Sequence, residues 1–207
     1  MKSREWQRLA TATVLPALPG WMVTRGVVHH PDTEWVLRGL ARDSSGFSGN
    51  FAVWLFAQPL YVPADHLVYT YGVRLSRVGG TGEAWWSSTS SRMPAELLAS
   101  VRDQAKPYLA GLSSPADLLR TAHARPAAFV DPHTLEVIAY SAMLVGDDAT
   151  VNRALVAARD LDPPEGWQRV VTDRLVDAGR VWLNSPSAGL AQLAEWRDRT
   201  TGALGLG

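Results

Sequence analysis

The sequence predicts an α+β protein: an N-terminal helix packed on an antiparallel sheet of three to five strands, then an all-helical part built of helical hairpins. Three observations predict it. Apolar residues recur at helical spacing in "SREWQRLATATVL". Four stretches between residues 21 and 76 are rich in β-branched and aromatic residues, with links too short for helical crossovers. Past residue 92 the period becomes helical throughout, punctuated by Pro, Gly and Asp-Asp. The expected division is an α+β domain over residues 1–112 and a helical domain or extension over residues 113–207.

The first helix is expected over residues 3–18, with Trp6, Leu9, Ala10, Thr13 and Val14 on one stripe, stopped by Pro16, Pro19 and Gly20. "WMVTRGVVHH" (residues 21–30) reads as one strand, closed by Pro31-Asp32. "EWVLRGLAR" (34–42) reads as a second, with Arg38 and Arg42 as exposed-type positions. "NFAVWLFAQPL" (50–60) is apolar on both parities, which requires cover on both faces. In "LVYTYGVRLS" (67–76), Leu67, Tyr69, Tyr71, Val73 and Leu75 alternate with Val68, Thr70, Gly72, Arg74 and Ser76, the pattern of a half-buried strand. Residues 93–112 form a helical stripe kinked at Pro107. Further helices are expected over 114–123, 133–145, 147–161, 165–184 and 187–199, and the tail "TTGALGLG" is expected to fray. Trp167, Val170, Val171, Arg174, Leu175, Ala178, Val181 and Trp182 mark the clearest helical stripe.

Composition excludes several classes. The 207 residues carry 20 basic and 20 acidic side chains, so no global field favours nucleic acid or an anionic membrane. The chain has no Cys, which removes disulfides, thiolate nucleophiles and Cys-ligated metals. Lys stands only at positions 2 and 106, an Arg bias that reads as GC-rich bacterial coding. The N-terminal apolar run is broken by Thr11, Thr13, Pro16 and Pro19, a poor signal peptide, and no run approaches the roughly 20 apolar residues of a membrane span. A cytoplasmic address is the expectation.

Each chemical motif meets a plainer alternative. His29-His30-Pro31-Asp32, with Asp65-His66, offers imidazole and carboxylate ligands. Neighbouring strand residues face opposite ways, however, so one of His29 and His30 alone can serve a given site. "GFSGN" around Ser48 half resembles a nucleophile elbow, but it precedes a strand instead of joining strand to helix, and it suits a hairpin turn. Gly79, Gly80 and Gly82 lack both the following helix and the Lys of a phosphate loop. Trp85-Trp86 could stack on a ring, or could anchor a connection with one ring buried and the other at the rim. No cofactor and no metal are expected. The candidate binding residues are Trp85, Trp86, His30, Asp32, His66 and Arg74.

The stretch "QPLYVPADHLVYTYGVRLSRVGGTGEAWWS", with its PLY-P phrase, the strand carrying Arg74-Leu75 and the Trp85-Trp86 loop, resembles an uncharacterised bacterial family called domain of unknown function 4304. The likeness covers residues 5–112 and ends near "PYL"; it implies the same helix-and-sheet fold and no catalytic residue. "GDDATVNRALVAARDLDP" (146–163) resembles a tetratricopeptide helix pair, though a single unit makes no repeat. The functional expectation is a non-enzymatic bacterial protein that binds another protein, such as an immunity or accessory factor of a toxin, secretion or defence system. The alternative is a small-molecule binder or enzyme with a pocket between the sheet and the C-terminal helices, served by His30, Asp32, His66, Arg74 and Trp86.

Overall fold

The computed structural model of the chain describes residues 1–44, 49–69, 71–78, 85–126, 128–161 and 165–205. The glycines at 79, 80 and 82 and Ser48 lie outside the described residues. The chain forms two compact units, Met1–Gln58 with Leu67–Ser113, and Pro59–His66 with Ser114–Gly205. The helical period that begins past residue 92 thus runs through the end of the first unit, and residues 59–66 belong to the second.

The first unit is helix on sheet. Helix α1 (Ser3–Leu9) continues into a five-residue π-helical turn, Ala10–Val14, and a 3₁₀ turn, Leu15–Ala17. The six strands are β1 (Met22–Thr24), β2 (Val27–His29), β3 (Val36–Ser44), β4 (Asn50–Pro59), β5 (Tyr71–Arg74) and β6 (Trp86–Ser87). They run in the order β1-β2-β3-β4-β5, with β6 also pairing β4. Helix α2 (Met93–Ser100), a second π-helical turn (Val101–Ala105) and α3 (Lys106–Ala110) complete the unit.

Three expectations are corrected here. Residues 21–30 are a hairpin: Thr24 pairs with Val27 across Arg25 and Gly26, whose φ angles are 52° and 83°. Positive φ at both central residues is the turn that matches strand twist. Residues 67–69 lie outside β5, and Tyr69 and Val73 are exposed instead of sharing a buried face with Tyr71 and Leu75. Arg38 and Arg42 are inward: Arg38 Nη1 donates to the Leu109 carbonyl at 3.3 Å, at the end of α3, and Arg42 Nη1 to the Met1 carbonyl at 2.7 Å. Sharing a parity with buried Val36 and Leu40, they extend past the core to backbone carbonyls.

The helices of this unit cover one sheet face. Phe51, Val53 and Leu55 of β4, Val28, Leu40, Leu75 and Trp86 pack with Trp6, Ala10, Val14, Leu97, Val101, Ala105 and Leu109 of the helices. Trp6 also donates its indole N–H to the Gly26 carbonyl at 2.7 Å, tying α1 to the hairpin turn.

The second unit is a helical array: α4 (Pro115–His123), α5 (Pro132–Val145), α6 (Asp148–Asp160), α7 (Trp167–Asn184) and α8 (Pro186–Leu204). Side chains of Ser114, Asp131, Asp147 and Ser185 accept the N3 amide at four of the helix starts. Helix α5 is central, packed by α4, α6, α7 and α8 and buried from Thr134 through Met143. Segment 59–66 adds buried Tyr61, whose hydroxyl meets Ser141 Oγ at 2.6 Å. The tail does not fray where expected: α8 runs to Leu204, and buried Thr200 accepts the Ala64 amide at 3.4 Å.

Candidate functional site

The sheet face opposite the core of the first unit gathers an aromatic strip. Trp54 and Arg74 are register partners across β4 and β5, so their side chains emerge on one face. Trp86 pairs with Phe51 and is buried in the core at 1% exposure; by strand alternation Trp85 turns the other way. The Arg74 guanidinium carbon then lies 5.1 Å from the Trp54 ring centroid and 5.0 Å from that of Trp85. Tyr69 stacks on Trp54 with centroids 5.6 Å apart and planes 7° apart, and sets its edge against Phe56. Gly72, opposite Phe56, makes this possible: a Cβ there would come within 2.9 Å of Tyr69 and 3.3 Å of Trp54.

Electrostatics at the strip are sparse. Asp43 Oδ2 accepts the Trp54 indole N–H at 3.4 Å and stands 3.8 Å from Arg74 Nη2, too far for a hydrogen bond. Arg74 retains 39% side-chain exposure, and among the described residues its guanidinium donates no hydrogen bond. Burial, and then the Asp43 charge, raises the Tyr69 phenol above its ordinary range, so it stays a neutral donor.

The other candidates are dispersed. His30 meets Trp21 edge-on and accepts the Asp32 amide at Nδ1, a local turn contact. His29 is the inward member of the pair, with Nε2 3.1 Å from Thr24 Oγ1; burial lowers its pKa and keeps it neutral. His66 belongs to the second unit and pairs with its exposed neighbour Asp65. Among the described residues no three His, Asp or Glu side chains come together as a metal site. Of the six candidate residues, Arg74 and Trp85 share a site, and Trp86 is sequestered in the core.

The sequence reading missed a charged cluster in the helical unit. Glu136 is 0% exposed and takes a bidentate pair from Arg174, Nε to Oε1 at 2.6 Å and Nη2 to Oε2 at 2.9 Å. Tyr140 donates to Glu136 Oε1 at 3.2 Å; burial, then the Glu136 charge, holds its phenol well above the ordinary range. His133 Nδ1 lies 3.7 Å from Glu136 Oε2 and stacks on Trp167 at 4.8 Å. Trp167 is 55% exposed, contrary to its expected stripe position. The available signal was Glu136 itself, a lone charge in the apolar run "LEVIAY". A shallow cavity of about 430 Å³ beside α4 and the start of α6 is lined by Arg120, His123, Asp147, Thr150 and Arg153. Its charges are largely spent internally: Arg120 pairs with Asp117 at 2.8 Å and Arg153 bonds Thr150 at 3.0 Å.

No helix among the described residues is long and apolar enough to cross a membrane. The fold and the strip define the class: a two-unit α+β protein with an aromatic and arginine surface on one face of its sheet. No protein-family model, curated protein or solved structure matches the chain.

Proposed function

We propose that the chain is a non-enzymatic bacterial protein, acting in the cytoplasm, that binds another protein through the Tyr69–Trp54–Arg74–Trp85 strip. The observation that carries this reading is Arg74 held against two indoles on a partly exposed sheet face. Trp, Tyr and Arg dominate interface energetics because they bring large contact area with few rotatable bonds and a polar handle. Here the four side chains are already stacked before a partner arrives, so little ordering entropy remains to be lost on binding. Among the described residues the strip holds no paired nucleophile and base, which suits docking better than turnover. Service as an immunity or accessory factor of a toxin, secretion or defence system is the concrete form of this proposal.

Copurification tests it. Tagged wild-type chain is expected to retain a stoichiometric protein from its host, and Trp85→Ala and Arg74→Ala chains with unchanged circular dichroism are expected to lose it. Retention of the same protein by both variants would show that the strip is not the docking surface.

A further inference from the structure

Resting on the reading of the strip as a docking surface, we infer that the Arg74 guanidinium is the receptor for a single carboxylate, an Asp or Glu side chain flanked by an apolar residue on the partner protein. A guanidinium has five N–H donors in a planar fork that fits a carboxylate with two parallel hydrogen bonds. Contact with Trp54 and Trp85 engages its π surface and fixes its position without spending those donors. Among the described residues its acidic neighbour is Asp43, which stands at 3.8 Å and is itself 45% exposed, so it neutralises Arg74 only weakly. The donors are therefore accessible and, among the described residues, unsatisfied by protein.

The charge of the site selects among anions. Among the described residues Arg74 is the one cation stacked on the strip's indoles, and Asp43 places a negative charge beside it. A phosphoryl group carries close to two negative charges near neutral pH and is ordinarily met by more than one cation. One guanidinium with a carboxylate neighbour matches a monoanion instead. The flanking rings of Trp54, Trp85 and Tyr69 offer apolar area next to the fork, which calls for an apolar residue beside the acid.

A phage-displayed library of random dodecapeptides, panned on the full-length chain and eluted with excess unlabelled chain, supplies the probe. Recovered peptides that no longer bind Trp85→Ala are expected to share an Asp or Glu next to an apolar residue. For the tightest of them, measured by fluorescence anisotropy, exchanging Glu for Gln or Asp for Asn is expected to weaken binding at least tenfold. Arg74→Lys, which keeps the charge but loses the fork and the stacking, is expected to weaken it as much. Strip-dependent peptides without a shared acid, or with affinity unchanged in Arg74→Lys, overturn the carboxylate receptor and leave the docking surface standing. Tighter binding of a phosphoserine peptide than of its Glu counterpart also overturns it. Recovery of no peptide that depends on Trp85 overturns both.

Discussion

Single side chains in this protein hold conformations and charges that other residues would hold more cheaply. Arg25 sits at φ 52° in the hairpin turn, a region that disfavours a side chain unless, as with Asn, it is short and polar. Arg25→Asn is expected to stabilise the fold by about 1 kcal/mol, read as a higher urea midpoint with unchanged slope. Glu136 shows the opposite economy. Its charge is acceptable only because Arg174, Tyr140 and, more weakly, His133 surround it, so Glu136→Gln strands the Arg174 guanidinium. The expected loss is about 2–3 kcal/mol, toward or below the low end for a broken buried pair because Arg174 is 25% exposed. Replacing both, as Glu136→Leu with Arg174→Met, is expected to cost less than the sum of the single changes. His133 adds a pH dependence. The Glu136 carboxylate beside it raises its pKa, burial opposes this, the charge of Asp131 adds to it, and Arg174 opposes it. The folded state thus binds the proton more tightly than the unfolded chain. The stabilisation is complete below the unfolded value near 6.5 and is lost as pH rises through the higher folded value. Thermal melts across this window should show it in the wild type and not in His133→Gln, and Trp167 fluorescence, sensitive to the stacked imidazole, should titrate over the same range.

At the scale of elements, the same adjustment occurs twice. The π-helical turn Ala10–Val14 ends two residues before Pro16, and the π-helical turn Val101–Ala105 ends two residues before Pro107. Proline lacks the amide hydrogen that an α-helix needs and collides with the carbonyl four residues back; a widened turn immediately before it relieves both demands without ending the helix. Proline therefore re-phases these helices, and Ala10, Val14, Val101 and Ala105 all still reach the core. In the β4–β5 pair the critical adjustment is the missing side chain at Gly72. Gly72→Val pushes Tyr69 off Trp54, because any Cβ there meets Tyr69 at 2.9 Å. We expect a destabilisation of about 1–3 kcal/mol, and loss of partner binding beyond what the remaining folded fraction explains, measured by chemical denaturation and copurification on the same preparation.

Across the whole molecule, the two units exchange chain: residues 59–66 leave the first unit, join the helical one and return. A fragment of residues 114–207 lacks Tyr61 and Leu60, both buried, and the hydrogen bond to Ser141. It is expected to keep far-UV helicity but bind a hydrophobic dye, and a Tyr61→Phe chain is expected to lose about 1 kcal/mol in denaturant titration. Much of this architecture was legible in the sequence, because helix periods and capping residues act locally: Ser114, Asp131, Asp147 and Ser185 stand at helix starts as their chemistry demands. The Arg25-Gly26 turn was not legible, since Arg is a poor signal for positive φ. Nor was the exposure of Tyr69 and Trp167, which is decided by stacking partners 15 and 34 residues away in sequence, Trp54 and His133. Half of the strip was visible as Arg74 and Trp85, while Trp54 and Tyr69 were hidden inside strand patterns that read as core. The strip's role as the docking surface is tested most directly by photo-crosslinking in the native host, with a benzophenone side chain placed at Tyr69, at Val73 (exposed, of opposite strand parity to Arg74) or at Val170 of the helical unit. The account predicts a discrete adduct with one protein from position 69, abolished by Arg74→Ala, and none from positions 73 and 170. The same adduct from position 170, with position 69 silent, would contradict it.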